Sequence, residues 1–351
     1  MTKILLISNM FPCTKNAARG VFVEKVFRQL CQCDELEVHK CVLSQKRFKV
    51  VAYLAFYIRA LIRIARLRKC VLYCHFVSRT GLLAMLGKHL FRHGLVVNCH
   101  GSDIVLPARH GGLIHQLNRI VLKSADKVIV PSSLFKKMVV SMFGIDDEFV
   151  SIYPSGGVFC PRVSDLRNPS ESFRENVQFG FVGNLVEGKG LLVLVECFNR
   201  IDFECTLHIA GAGDCSLIAG IKNPRVNIIY HGVLLRTALN QLYSQLDMLL
   251  FPSVMKESLG LVLLEAMAFS VPVTASRVGA VPELVVHGEN GFLIEPGDPQ
   301  ELLNIIEYFR SLSIDRIAVI RENARAIALK YDDQKIPNLL WSVFKELDVN
   351  G

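Results

Sequence analysis

Leu246-Asp-Met-Leu-Leu-Phe-Pro-Ser253, then Glu257-Ser-Leu-Gly-Leu-Val-Leu-Leu-Glu265, then Ala266-Met-Ala-Phe-Ser-Val-Pro-Val273 and Gly279-Ala-Val-Pro-Glu283 is the stretch from which the fold is read. Its first run is a short buried strand that stops at a Pro-Ser turn, and its second is an apolar helix opened by a glycine. A strand that hands over to a helix at a glycine is half of a β–α unit. The amides of Gly260 and Leu261 then lie at a helix N-terminus, where unpaired N–H groups and roughly half a positive charge favour an anion such as phosphate. Glu265 follows about one and a half turns into the helix. Its apolar surroundings make an ionised carboxylate expensive unless something satisfies it, and a vicinal diol such as a ribose would do so. Glu257, ahead of the helix, is placed to grip a second set of hydroxyls. Sugar, diphosphate and ribose find groups in that order, which is the layout of a nucleotide sugar.

The same alternation extends in both directions. Strand-like runs at Ile4–Ser8, Leu36–Leu43, Val71–Cys74, Leu95–Cys99, Lys127–Val130 and Val150–Tyr153 alternate with helical patterns near 21–33, 50–69, 80–92, 111–124 and 133–143. A second series of strands, Val177–Val182, Cys205–Ala210, Val226–Tyr230, Met248–Phe251 and Val271–Ala275, is again separated by helices. Such alternation predicts parallel sheets covered by helices on both faces. A chain of 351 residues is long enough for two such domains. With 51% hydrophobic and 21% charged residues it is not a disordered chain.

The block from Glu257 to Glu283 resembles the donor site of the retaining glycosyltransferases of family 4, and the resemblance extends over nearly the whole chain. It implies an α/β protein of GT-B fold, two doubly wound Rossmann-like domains facing each other across a cleft. The expected division is an acceptor-side domain over 1–160, a polar linker with two prolines over 161–175, and a nucleotide-sugar domain over 176–332. Residues 333–351 form a final segment that crosses back to the first domain. By the same resemblance Glu257 contacts the donor sugar, Gly260 and Leu261 hold the diphosphate, Glu265 holds the ribose, and Ser258 is a further donor-binding residue.

Other segments follow the same pattern. Phe181-Val-Gly183-Asn184-Leu-Val-Glu-Gly188-Lys189-Gly190 nearly matches a P-loop, but Gly190 stands where a magnesium-binding Ser or Thr is required, which argues against a P-loop phosphotransferase. In the family this turn carries an Arg and a Lys on the diphosphate. Lys189 matches the Lys, whereas Asn184 occupies the Arg position with an uncharged amide. Gly183 opens the turn. His100-Gly-Ser-Asp103, after an apolar strand, resembles the family's His-Gly-x-Asp segment, which puts His100 by the anomeric carbon and Asp103 on the acceptor side. The long turn from Asn9 to Gly20 resembles the loop that backs the donor phosphate, with Gly20 permitting close approach. Gly211-Ala-Gly213 and His231-Gly232 would flank the nucleotide.

The catalytic candidates are therefore His100, Lys189 and Glu257, in an enzyme that transfers a sugar from a nucleotide donor to a hydroxyl acceptor with retention. No Asp-x-Asp cluster stands in a suitable loop, so no metal or other cofactor is expected. Two other readings share the fold: a sugar-nucleotide epimerase, which would need no acceptor, and a non-catalytic donor-binding protein, which the loss of the Arg at Asn184 keeps open.

Charge adds a partner. The chain carries a net +8, yet from Val38 to Ser102 there is no Asp or Glu at all, while twelve Lys and Arg accumulate and the remainder is net acidic. Within this stretch Val50–Ile58 is apolar, too short to span a bilayer, and Arg59, Arg63 and Arg66 follow at helical spacing. Residues 46–69 thus read either as an amphipathic helix packed on the sheet or as a basic helix lying on an anionic membrane. The acceptor would then be lipid-linked or another glycan of polysaccharide assembly. No nucleic-acid module accompanies the charge. The opening strand pattern is too short for a signal-peptide core, and the eleven cysteines, an odd number, lack C-x-x-C pairs. Both features lead to the expectation of a cytoplasmic protein with reduced thiols.

Overall fold

The computed structural model describes residues 1–13, 19–43, 49–67, 69–104, 112–166 and 175–347. The chain forms two compact units, one of Met1–Gly156 joined by the segment from Gln334 onward, the other of Gly157–Asp333.

Unit 1 runs β1 (Thr2–Ser8), α1 (Val21–Leu30), β2 (Leu36–Val42), α2 (Lys49–Arg66), β3 (Val71–His75), a π-helical turn (Val77–Gly81) leading into α3 (Leu82–Phe91), β4 (Gly94–Asn98), α4 (Leu113–Ser124), β5 (Lys127–Val130), α5 (Ser133–Phe143) and β6 (Val150–Ile152). Its strands form one parallel sheet in the order β2-β1-β3-β4-β5-β6. The two-residue period of a strand sends Ile4 and Leu6 to one face and Leu5 and Ile7 to the other. Both faces are covered: Leu5 and Ile7 join Phe56, Ile64 and Val121 from the helices of one side, and Ile4 and Leu6 join Val23 and Val26 of α1 on the other. This double burial is why the strands read as continuous apolar runs.

Unit 2 runs β7 (Val177–Val182), α6 (Leu191–Phe198), β8 (Cys205–Ala210), β9 (Val226–Gly232), α7 (Arg236–Gln245), β10 (Met248–Phe251), α8 (Leu261–Ala268), β11 (Val273–Ser276), α9 (Val281–Leu284), β12 (Gly291–Ile294), α10 (Pro299–Ser311) and α11 (Ile314–Ala328). Its parallel sheet has the order β12-β11-β10-β7-β8-β9. The edge strand β12 is absent from the sequence reading, because Gly291-Phe-Leu-Ile294 begins on the glycine of an Asn-Gly turn signal.

Residues 157–166, part of which the composition suggests as linker, pack within unit 2. The amide of Val158 donates to the carbonyl of Tyr331 at 2.9 Å and Arg325 donates to the carbonyl of Pro161 at 2.6 Å. Residues 167–174 of the expected linker lie outside the described residues. After Asp333 the chain enters unit 1 as α12 (Pro337–Lys345), which buries Leu340 and Phe344. There Trp341 donates its indole N–H to the carbonyl of Gln29 at 2.9 Å, and Phe344 meets Tyr73 edge-on.

Both strand orders place a crossover inside the sheet. In unit 2 the chain builds outward from β7 to β8 and β9, then returns to place β10 on the opposite side of β7. In open α/β sheets the space beyond the carboxyl ends of the two strands at such a crossover is where ligands bind.

Candidate functional site

The carboxyl ends of β7 and β10 are joined by an ion pair. Lys189 Nζ, in the turn after β7, lies 2.6 Å from Glu257 Oε1, in the turn after β10, and both side chains are largely shielded from solvent. Ser253 donates its hydroxyl to the same Glu257 oxygen at 2.9 Å, and the Lys189 ammonium stands 5.3 Å over the ring of Phe251. The two turns are locked by backbone contacts. The amides of Val254 and Met255 donate to the carbonyl of Gly188 at 3.0 and 3.2 Å. Gly190 has φ +78°, and a Cβ there would stand 1.8 Å from the carbonyl oxygen of Pro252. Only glycine permits this approach, which fixes the height of Lys189 relative to Glu257. A third turn braces the arrangement: the amide of Ala280 donates to the carbonyl of Glu257 at 2.9 Å, and a Cβ on Gly279 would lie 2.0 Å from that same oxygen. The Val-Gly-Ala-Val-Pro-Glu segment therefore serves to hold Glu257.

Two helices begin at this crossover. α6 starts on Gly190 and α8 on Gly260, both left-handed, and no side chain caps either end. Their first amides point outward with the positive end of each helix dipole, the ordinary setting for an anion. Gly260 and Leu261, expected at the diphosphate, occupy the start of α8, and Ser258 lies two residues before it, half-buried. Glu265 projects from the second turn of α8, where Tyr243 donates its hydroxyl to Glu265 Oε2 at 2.9 Å. Burial and the carboxylate together push the Tyr243 phenol well above its ordinary range, so it stays protonated and can only orient Glu265 as a donor. Gly183 is half-buried at the end of β7, and Asn184 beside it is exposed. On the next strands His208 Nδ1 and His231 Nε2 lie 3.0 Å apart with their rings stacked, and His208 Nε2 meets Gln178 Oε1 at 2.9 Å. Burial and the neighbouring ring hold His208 below its usual value.

In unit 1 the crossover lies between β1 and β3. His75 ends β3 fully buried, and its Nδ1 stands 2.9 Å from Nε2 of His100, which follows β4. The rings stack 5.1 Å apart, and Phe22 and Phe76 close on His100 at 4.8 and 4.6 Å. His75 Nε2 has no hydrogen-bond partner among the described residues. The two rings share a single hydrogen bond, between His75 Nδ1 and His100 Nε2. Burial lowers His100 to about 3, so the ring is neutral at pH 7. Asp103 is buried and accepts from the amides of Val77 at 2.9 Å and His100 at 3.0 Å. Burial outweighs these bonds and raises its carboxyl to about 6. Gly20 caps α1 at φ +69°, and a Cβ there would meet the Met10 carbonyl carbon at 2.8 Å. Residues 14–18 of that turn lie outside the described residues.

The structure thus joins Lys189 to Glu257 and His100 to Asp103, and sets Glu265 and Gly260 on one helix. Tyr243 and His75 are absent from the sequence reading, and Ser253 appears there only as part of the Pro-Ser turn. Tyr243 of α7 meets Glu265 of α8 only in the folded chain, Ser253 reaches Glu257 across the four-residue turn after β10, and His75 falls one residue beyond the apolar run taken for β3. Among the described residues no group of three or more His, Cys, Asp or Glu is placed to hold a metal ion.

Residues 176–310 match the family model described as "Glycosyl transferases group 1", and residues 16–156 match that of the "Glycosyl transferase 4-like domain". An uncharacterised glycosyltransferase of Methanocaldococcus jannaschii is 29% identical over 259 residues, which cover 66% of this chain and 64% of the relative. The N-acetyl-alpha-D-glucosaminyl L-malate synthase of Bacillus anthracis is 27% identical over 245 residues, 65% of this chain and 62% of the relative. In these two pairings the match spans less than two thirds of the relative's length. Among solved structures, Anabaena HepE in complex with UDP and glucose superimposes with a TM-score of 0.78 at 21% identity, covering 99% of this chain and 100% of that one.

Proposed function

The chain belongs to the group 1 glycosyltransferases of GT-B fold, and on that premise we propose that it transfers a hexose or related sugar from a nucleotide-sugar donor to a hydroxyl acceptor. The proposed transfer proceeds with retention, without a metal ion, and serves bacterial polysaccharide or glycolipid assembly, such as lipopolysaccharide, O-antigen or capsule. The observation that carries the reading is the Lys189–Glu257 pair at the crossover of unit 2, flanked by two uncapped helix N-termini.

When the bond from the anomeric carbon to the diphosphate breaks, the electron pair leaves with the diphosphate oxygen. Lys189 and the amides at Gly260 and Leu261 would hold that developing charge with fixed positive potential, which needs no reorganisation at the moment of reaction. In the ligand-free protein Lys189 is neutralised by Glu257. An incoming diphosphate takes over the ammonium, and the released carboxylate then accepts hydroxyls of the sugar. Glu265, pinned by the Tyr243 hydroxyl, presents its carboxylate to the ribose. His100 lies by the anomeric carbon of the donor, Asp103 serves the acceptor side, and Gly183, Asn184, Ser258 and Gly20 complete the donor surroundings.

The solved structure of Anabaena HepE holds UDP and glucose, and similar chains include the lipopolysaccharide 1,2-N-acetylglucosaminetransferase of Salmonella typhimurium, which supports the donor and the pathway class. None of the described helices is long and apolar enough to cross a membrane. The proposed membrane contact is peripheral, through 46–69 at the inner face of the plasma membrane, with α2 exposing Val50, Leu54 and Ile58 beside its arginines. Residues 46–48 and 68 of that segment lie outside the described residues.

Incubation with UDP-, GDP- and ADP-sugars and a panel of alkyl glycosides, followed by the anomeric proton in NMR spectra, tests the reading. An α-linked product from an α-configured donor, formed equally in EDTA, is expected. A β-linked product would overturn retention, and turnover lost in EDTA would overturn metal independence.

A further inference from the structure

Away from both crossovers, the outer edge of the unit 1 sheet carries a cavity of about 590 Å³ between α1, β2 and α2. Lys40 of β2 and Arg59, Arg63 and Arg66 of α2 line it, with Phe27 of α1 as its aromatic wall, and no Asp or Glu is among its lining residues. Lys40 sits over the rings of Phe11 and Phe27 at 4.6 and 4.5 Å, and Arg63 donates to the carbonyl of Lys40. Arg59 bonds the carbonyl of Ala55 in its own helix. Among the described residues none of these four cations makes an ion pair.

β2 is an outermost strand, and charged side chains over an open edge are a common guard against pairing with another chain. Arg63 performs that guard by covering the Lys40 carbonyl. It does not explain Arg59 and Arg66, which stand one turn away on either side of Arg63 and raise its repulsion, since like charges at this spacing destabilise a helix. The positive field reaches the cavity floor. Burial raises the Cys41 thiol there, and Arg63 and Arg59 pull it back down. A concave, carboxylate-free set of guanidinium forks beside an aromatic wall matches a tetrahedral oxyanion, which such forks grip through paired N–H bonds.

We propose that this cavity is a phosphate-binding site, taking the phosphate or diphosphate of an anionic lipid headgroup or of a soluble phosphate ester. The outward side of α2 favours the lipid source, because Val50 is 82% exposed and Leu54 60% exposed on the same helix as the arginines. The site stands on the cavity itself, and only the choice of a lipid source rests on the membrane contact proposed above.

The test compares the full chain with Arg59→Gln/Arg66→Gln, with the charge-keeping Arg59→Lys/Arg66→Lys, and with a control of equal charge loss, Lys137→Gln/Lys222→Gln, at exposed positions outside the cavity. Probes are inorganic pyrophosphate by calorimetry and vesicles of phosphatidylcholine with or without phosphatidic acid by co-sedimentation. Melting curves confirm folding, and a UDP titration reports the nucleotide site separately. The glutamine pair is expected to bind phosphatidic acid vesicles about thirtyfold more weakly, the lysine pair, which keeps the charge but loses the paired N–H bonds, a few-fold more weakly, and the control near wild type, with UDP binding unchanged in all. Saturable pyrophosphate binding lost only in the glutamine pair would support the site with a soluble ester as its ligand. Binding of neither probe, or equal losses in the glutamine pair and the control, would overturn it.

Discussion

Replacing either member of the Lys189–Glu257 pair should move nucleotide affinity in opposite directions. In the free protein the ammonium is held 2.6 Å from the carboxylate, which also receives the Ser253 hydroxyl. A diphosphate must win Lys189 from this partner. A charge-assisted hydrogen bond contributes about 1.5–3 kcal/mol, and the partly exposed ion pair surrendered in exchange contributes about 1 kcal/mol or less. Lys189→Met should therefore weaken UDP by a net of roughly 1–2 kcal/mol, about five- to thirtyfold, while leaving uridine, which has no phosphate, unchanged. Glu257→Gln removes the competitor, so UDP should bind equally well or a few-fold tighter. The nucleotide sugar, which loses a hydroxyl acceptor, should instead bind more weakly. Calorimetric titration of both variants with uridine, UDP and the UDP-sugar reads all six values. The reasoning is refuted if Glu257→Gln weakens UDP as much as Lys189→Met does, since the pair would then serve only to shape the turn.

Other outcomes follow from the same geometry. Glu265→Gln keeps the Tyr243 contact but loses the charge, and should weaken UDP by about 1 kcal/mol while scarcely changing a 2′,3′-dideoxy analogue; equal losses for both would remove the ribose role. Gly190→Ala drives a Cβ against the Pro252 carbonyl at a left-handed φ and should destabilise unit 2 by about 3 kcal/mol or more, read as an earlier melting transition. Asp103 retains its proton to about pH 6 in the folded chain against a reference of 3.8. The folded state thus binds more protons across that window, and its stability falls as pH rises through it. The stability of wild type relative to Asp103→Asn should drop by about 2 kcal/mol between pH 4 and 7, with His75 and His100 common to both. A flat difference in chemical denaturation would contradict the buried carboxyl.

What the sequence shows directly is whatever a single segment contains. Strand and helix periods expose the two sheets because both faces of each are buried, and Glu265 stands out because a charge interrupts Leu-Val-Leu-Leu and Ala-Met-Ala. Gly190 reads only as the missing P-loop hydroxyl, whereas its structural necessity is the Pro252 carbonyl more than sixty residues later. Lys189 and Glu257 are each visible as candidates, but their contact arises from the adjacency of β7 and β10, which is a property of strand order. The same holds for His75 with His100, where β3 and β4 bring two strand ends side by side, and Tyr243 meets Glu265 only in the folded chain. β12 escapes notice because it begins on the glycine of an Asn-Gly turn signal, which masks its short apolar run.

The most direct measurement is thermal stabilisation by UDP-, GDP- and ADP-sugars and by ATP, each with magnesium and with EDTA, in the wild type and in Lys189→Met. Ligand at about 100 times its dissociation constant should add roughly 2.7 kcal/mol to the wild type. Stabilisation by one nucleotide-sugar set that survives EDTA and shrinks in Lys189→Met is the predicted result. Stabilisation by ATP and magnesium alone, or by none of the nucleotides, would contradict a nucleotide-sugar site at the crossover of unit 2.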